Sequence, residues 1–179
     1  MTLDPAVLRT VTAMLAILLL VGAWQKLRDL GSFRAALEGY ELLPAALLPV
    51  AALALPLAEA ATGLLLVVDA TRVLGAWVAV ALLAVVTAAV AVNLLRGRTD
   101  VGCGCGGIED EQTISWALVA RNLVLMALAA LGGQPAAPRA LHAFDLLTIA
   151  AGACAAYGLY AMVNQLLANR PRLLRLRTR

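Results

Sequence analysis

The sequence predicts an all-α membrane protein, a polytopic helical bundle of four core transmembrane helices plus a fifth C-terminal helix. Three observations predict it. Of 179 residues, 63% are hydrophobic and only 14% charged, against roughly a quarter charged in a soluble domain, and the mean hydropathy is +0.89. The apolar residues are gathered into runs of about twenty with no polar face, the length that crosses a ~30 Å hydrocarbon core. The polar stretches between them (25–41, 96–113, 132–142 and 170–179) are each too short to bury a core of their own.

Five runs are expected to be helices: residues 6–24, 42–68, 73–95, 114–131 and 144–168. Asp4-Pro5 can open the first, and its leading segment carries Asp4 and a single Arg9 instead of a basic cluster, which argues for a retained span over a cleaved signal peptide. Leu43-Pro44 can start the second. Pro49 and Pro56 fall inside it, and each removes a backbone donor, so this helix should bend or begin late, at Pro49. Thr113 can cap the fourth.

Alternation of the spans puts the loops after the first and third helices, and the tail, on one side. The fourteen basic residues then divide as ten on that side, three opposite (Arg9, Arg72, Arg139), and Arg121 inside a span. The positive-inside rule accordingly places the 96–113 loop and the C-terminal tail on the cytoplasmic side of a bacterial inner membrane. A net charge of +3 spread between apolar runs does not make a nucleic-acid surface.

The sharpest chemical feature is Gly102-Cys103-Gly104-Cys105-Gly106-Gly107. Two cysteines one residue apart close a disulfide only over a folded backbone, which Gly104 permits, and a bridge under such constraint has the raised potential of a redox-active pair. Arg96, Arg98 and Lys26, expected at the same end, would favour thiolate. Cys103 and Cys105 are therefore the candidate catalytic residues. The alternatives are two idle thiols in a flexible loop, or a soft-metal site. Zinc lacks further ligands because the single histidine, His142, belongs to the opposite end, and no metal is predicted.

Polar residues within spans need a reason. Arg121 lies seven residues past Ile114 and Glu59 ten past Pro49, about 10 and 15 Å from the cysteine side at the helical rise. An ion pair between Glu59 and Arg121 is expected to join the second and fourth helices, with Asn93 adding hydrogen bonds between helices. Such a pair could serve the bundle alone. The functional reading makes Glu59, Asn93, Arg121, Asn122 and Lys26 the polar floor of a cavity that holds a quinone headgroup as cofactor. Cys154, among Ala151, Gly152, Ala153, Ala155 and Ala156, reads as helix packing, and Trp24, Trp77 and Trp116 near span ends read as an aromatic belt.

Lys26, the stretch Glu38-Gly39-Tyr40 with Leu42-Leu43-Pro44, Pro56 with Glu59 and Gly63, Asn93 to Arg98, the Cys103-Gly104-Cys105-Gly106 loop, and Ser115-Trp116 followed by Arg121-Asn122 together form an ordered set. That set resembles the MauE branch of the DoxX-like membrane proteins, over roughly residues 6–131. The resemblance implies a four-helix membrane domain over residues 1–131, to which residues 132–179 append a further transmembrane helix and an Arg-rich tail. It also implies a redox-associated role: the methylamine-utilisation member is held to help mature, or form disulfides in, the small subunit of methylamine dehydrogenase, working with a thioredoxin-like partner. This chain has Gly106-Gly107 where many relatives carry an aromatic residue. The expected function is an integral membrane thiol-disulfide oxidoreductase that exchanges electrons with a thioredoxin-like protein and passes them to membrane quinone. A noncatalytic anchor of a redox complex, and a thiolate carrier for soft metal or sulfane sulfur, are the alternatives.

Overall fold

The computed structural model describes residues 3–104 and 113–177, with side chains as far as residue 169. Among these residues the chain is all-helical: α1 (Pro5–Arg28), α2 (Leu30–Gly39), a 3-10 turn (Ala45–Leu47), α3 (Leu48–Val67), α4 (Arg72–Leu95), α5 (Trp116–Gly132) and α6 (Ala143–Arg177). Four helical segments are long and apolar enough to cross a membrane: α1, Ala45–Val67, α4 and Ala143–Asn169. With 17 residues α5 is shorter, about 26 Å at the helical rise. It is nevertheless tied near both ends of α4. Ile114, just before it, donates its N–H to the Val101 carbonyl beyond the end of α4 (2.9 Å), and Gly132 at its far end accepts from Arg72 at the start of α4.

Local chemistry explains most boundaries. Asp4 caps α1 by accepting from the Ala6 N–H at 2.8 Å, with Pro5 at the first helical position. The second run begins late, as its prolines require: the chain makes a 3-10 turn, Pro49 sits in the first turn of α3, and Pro56 is buried inside it. Two expectations need correction. The residue preceding α5 is Ser115, not Thr113. The 25–41 stretch is not a loop, because α1 continues to Arg28 and α2 follows at once. Asp29 separates the two helices and caps α2, accepting from the Ser32 N–H (3.0 Å) and hydroxyl (2.7 Å). The Ser32 backbone bond, reinforced by that hydroxyl, holds the Asp29 carboxyl below its ordinary value. This stabilisation is therefore present above the ordinary carboxylate pKa and is lost as pH falls through the lowered one.

Helix α1 is central and packs against α3, α5 and α6, while α4 bridges α3 and α5. The main core joins Leu15 and Leu19 to Leu66, Ala76, Leu125 and Ala153 across five helices. A second cluster at the cysteine-loop end joins Tyr40, Val90, Leu94, Val101, Ile114 and Leu118. Small residues set the close approaches, as expected for membrane helices. A Cβ on Gly152 of α6 would lie 2.9 Å from the Thr10 methyl of α1, whereas Cys154 points outward and is free. A Cβ on Gly75 would lie 2.9 Å from the backbone of Leu65 and Leu66. Gly75→Ala is accordingly expected to destabilise the α3–α4 hairpin by about 1–3 kcal/mol. Gly158→Ala, which meets open space, should leave detergent thermal melts unchanged, and equal melts for the two variants would contradict this packing.

Candidate redox site and polar cavity

Phe33 and Ala36 of α2 and Tyr40, its C-terminal cap, lie at i, i+3 and i+7 and so share one face, and Cys103 and Gly104 sit against that face. A Cβ on Gly104 would lie 3.0 Å from Ala36 Cβ and 3.6 Å from the Phe33 ring. The Tyr40 hydroxyl donates to the Cys103 carbonyl at 3.2 Å. Burial pushes the Tyr40 phenol from its ordinary 10.0 up to about 12, so Tyr40 remains a neutral donor at physiological pH. Its contribution is whole below the ordinary value and is lost as pH rises through the raised one. An antiparallel bridge between Gly102 and Thr113 closes the base of the loop. Gly104 has φ +65°, the left-handed conformation that glycine alone adopts without cost and the local fold that the one-residue cysteine spacing calls for. Cys103 is disulfide-bonded, and Cys105 lies outside the described residues. Arg98 is drawn to Glu41 at 2.9 Å.

The span polar groups arrange themselves differently from expectation. Glu59 pairs with Lys26, not with Arg121: Lys26 Nζ donates to both carboxylate oxygens at 2.7 Å, and the two side chains are only 11% and 12% exposed. The reason is azimuth. The buried residues of α3 include Ala52, Pro56, Glu59, Gly63 and Leu66, one stripe at helical spacing. A Cβ on Gly63 would meet Leu20 and the Ala16 carbonyl of α1, so the stripe, Glu59 included, faces α1. Arg121 turns instead to the Asn122 side-chain oxygen (3.3 and 3.2 Å) and to Asn164 of α6, with its guanidinium 5.6 Å from the Tyr160 ring centroid.

Both groups border one cavity of about 890 Å³, whose lining includes Lys26, Glu59, Arg121, Asn122, Tyr160 and Asn164. Four of the five residues expected to hold a cofactor are thus brought together. Asn93 is not among the lining. It is fully buried, donates within its own helix to the Ala89 carbonyl at 3.2 Å, and its side-chain oxygen has no hydrogen-bond partner among the described residues. Tyr160 and Asn164 were not anticipated from sequence, because the last helix reads as a separate addition. Leucines and valines from α1 and α4 complete the walls, giving the mixture of apolar surface and few polar groups typical of small-molecule sites of about 300–1,000 Å³.

The family model described as methylamine utilisation protein MauE matches residues 4–134. The chain belongs to the MauE family. MauE relatives bear this out over most of their length. The methylamine utilization protein MauE of Paracoccus denitrificans is 42% identical over 155 residues, 86% of this chain and 83% of its own. Those of Paracoccus versutus and Methylorubrum extorquens are 36% and 39% identical over 76% and 80% of this chain, and 73% and 77% of theirs. Only three residues precede the segment that the MauE model matches, so similarity over 155 residues must run into α6. No solved structure matches the chain.

Proposed function

We propose that this MauE-family protein is a membrane thiol-disulfide oxidoreductase supporting disulfide formation in a protein of methylamine utilisation. The relatives' names supply the process, and broader kinship with DoxX-like proteins is part of the same reading. The observation that carries the chemistry is the packing of Cys103 and Gly104 against Phe33, Ala36 and Tyr40, together with a buried Lys26–Glu59 pair that borders a polar cavity. In the first half-reaction a thiolate of a thioredoxin-like partner attacks one sulfur of the Cys103–Cys105 disulfide. That bond breaks as a mixed disulfide forms, and the partner's second thiol releases it. The partner leaves oxidised, and Cys103 and Cys105 hold two electrons and two protons as a dithiol.

A quinone, when bound, accepts two electrons and two protons and so balances re-formation of the disulfide. The cavity residues fit a headgroup: Lys26 and Arg121 offer charged donors, Asn122 and Asn164 offer amides, Glu59 offers a carboxyl group, and the apolar walls suit its ring and tail. The thiol chemistry is tested by redox titration of the purified full chain with Cys154 replaced by Ala, read by alkylation. The Cys103–Cys105 pair should interconvert at a potential above about −300 mV, and decylubiquinone should re-oxidise the dithiol. Resistance to reduction at that potential, or indifference to quinone, would overturn the corresponding half.

Orientation is part of the proposal. The charge division puts the cysteine loop and the tail on the cytoplasmic side of the inner membrane. Intact cells of the Cys154→Ala strain, mildly reduced and treated with a membrane-impermeant maleimide, should then leave Cys103 and Cys105 unlabelled. Strong labelling from outside would reverse the orientation and favour direct exchange with an exported thioredoxin-like partner.

A further inference from the structure

We propose that Phe33 is a positioning residue that couples the redox state of the Cys103 loop to the Lys26–Glu59 pair in the cavity wall. The inference rests on the thiol-disulfide reading above and adds the element that joins its two halves. Phe33 is 8% exposed, and its ring has two neighbours of different kinds. One is Gly104, whose Cβ position lies 3.6 Å from ring carbons. The other is Lys26, whose Nζ stands 5.7 Å from the ring centroid while it holds both Glu59 oxygens at 2.7 Å. Gly104 is the residue between the two cysteines, so it is the backbone that must rearrange when their bond opens or closes. In its left-handed conformation its backbone runs beside Phe33 and Ala36, so close that an added Cβ would meet both. A buried ring cannot yield on one side without moving against the other, because close-packed side chains transmit displacement. Movement of the ring alters its attraction for the Lys26 ammonium, and with it the strength of the Lys26–Glu59 pair. Linkage makes the effect reciprocal: whatever biases the pair biases the dithiol–disulfide equilibrium by the same factor. Tyr40, the other anchor of the loop, bonds the Cys103 carbonyl and does not line the cavity, whereas Phe33 lies against Lys26, which does.

The test is a double-mutant cycle read as a redox equilibrium, which a merely structural role would not move. In a Cys154→Ala background, the full chain in detergent is equilibrated with graded thiol-disulfide buffers, and the dithiol fraction of Cys103 and Cys105 is measured by alkylation. Glu59→Gln leaves the Lys26 charge beside the ring without its carboxylate and should shift the equilibrium toward dithiol by about three- to tenfold, tenfold being about 30 mV for a two-electron couple. In a Phe33→Leu background, which keeps the apolar contact but loses the ring, that shift should vanish. If Glu59→Gln fails to fold, Lys26→Met with Glu59→Leu removes both charges together and should shift the equilibrium by threefold or more, again only when Phe33 is present. A shift that persists in Phe33→Leu, or no shift from either change at Glu59, overturns the coupling. Failure of the underlying reading would be seen separately, as a wild-type pair that does not cycle at all.

Discussion

Lys26→Ala is expected to destabilise the protein by about 3–5 kcal/mol, the usual consequence of leaving one member of a buried pair behind. Glu59 is 12% exposed at its side chain, faces α1, and accepts both of its short hydrogen bonds from the Lys26 ammonium. Alanine removes both bonds and the cation–π contact with Phe33, and no other cation is drawn to Glu59 among the described ion pairs. Lys26→Met with Glu59→Leu should recover most of the loss, because a pair replaced whole leaves no ion unpaired. The contrast separates stability from chemistry. In detergent thermal melts the single variant should fall well below wild type and the double variant should approach it. In quinone-dependent re-oxidation both should be impaired. A single variant that melts with wild type would show that the carboxylate has another partner.

The spans were legible because membrane solvent imposes length and apolarity on each helix independently of its neighbours. Five runs became α1, α3, α4, α5 and α6, with ends shifted by up to nine residues, most at the start of α3 and the end of α6. The missing element was α2, whose ten residues are short, mixed in polarity and outside any apolar run. Its signal was present as Phe33, Ala36 and Tyr40 at i, i+3 and i+7, a one-sided spacing that points to a helix lying against something.

For the site, the sequence yielded heights but not directions. Counting residues from helix ends placed Glu59 and Arg121 at compatible depths, and from that an ion pair was expected. Pairing also depends on which neighbour each helix faces, and Glu59 shares the α1-facing stripe with Ala52, Pro56 and Gly63. That stripe could have been read beforehand, since small residues at helical spacing mark the face of closest approach. No comparable signal announced Asn164 as a partner of Arg121. That contact depends on α6 folding back across α1, a tertiary fact that local pattern does not encode.

From the sequence Arg72 is only one of three basic residues at the end opposite the cysteines, and the structure gives it a heavier task. It is 9% exposed and its guanidinium donates to the Gly132 carbonyl and, at 3.1 Å, to the Gln134 carbonyl. These belong to the C-terminal end of α5 and the residues just beyond, where helical carbonyls lack intrahelical donors. A planar fork with fixed donors suits two carbonyls at once, and a positive charge at a helix C-terminus is also favoured by the dipole. Because α5 is the shortest of the five core-spanning helices, at 17 residues, it has the least propagated hydrogen bonding to spare when its end is uncapped. Arg72→Ala should therefore cost about 3 kcal/mol, from two charge-assisted bonds lost, with the buried Gly132 carbonyl and the half-buried Gln134 carbonyl left unmet. Arg72→Lys should restore less than half of that, since an ammonium cannot reproduce the fork. Hydrogen exchange localises the effect: amides in the last two turns of α5, from about Leu128 onward, should exchange faster in Arg72→Ala while those near Leu118 stay protected. Uniformly unchanged exchange along α5 would mean that water or lipid headgroups satisfy these carbonyls as well as Arg72 does.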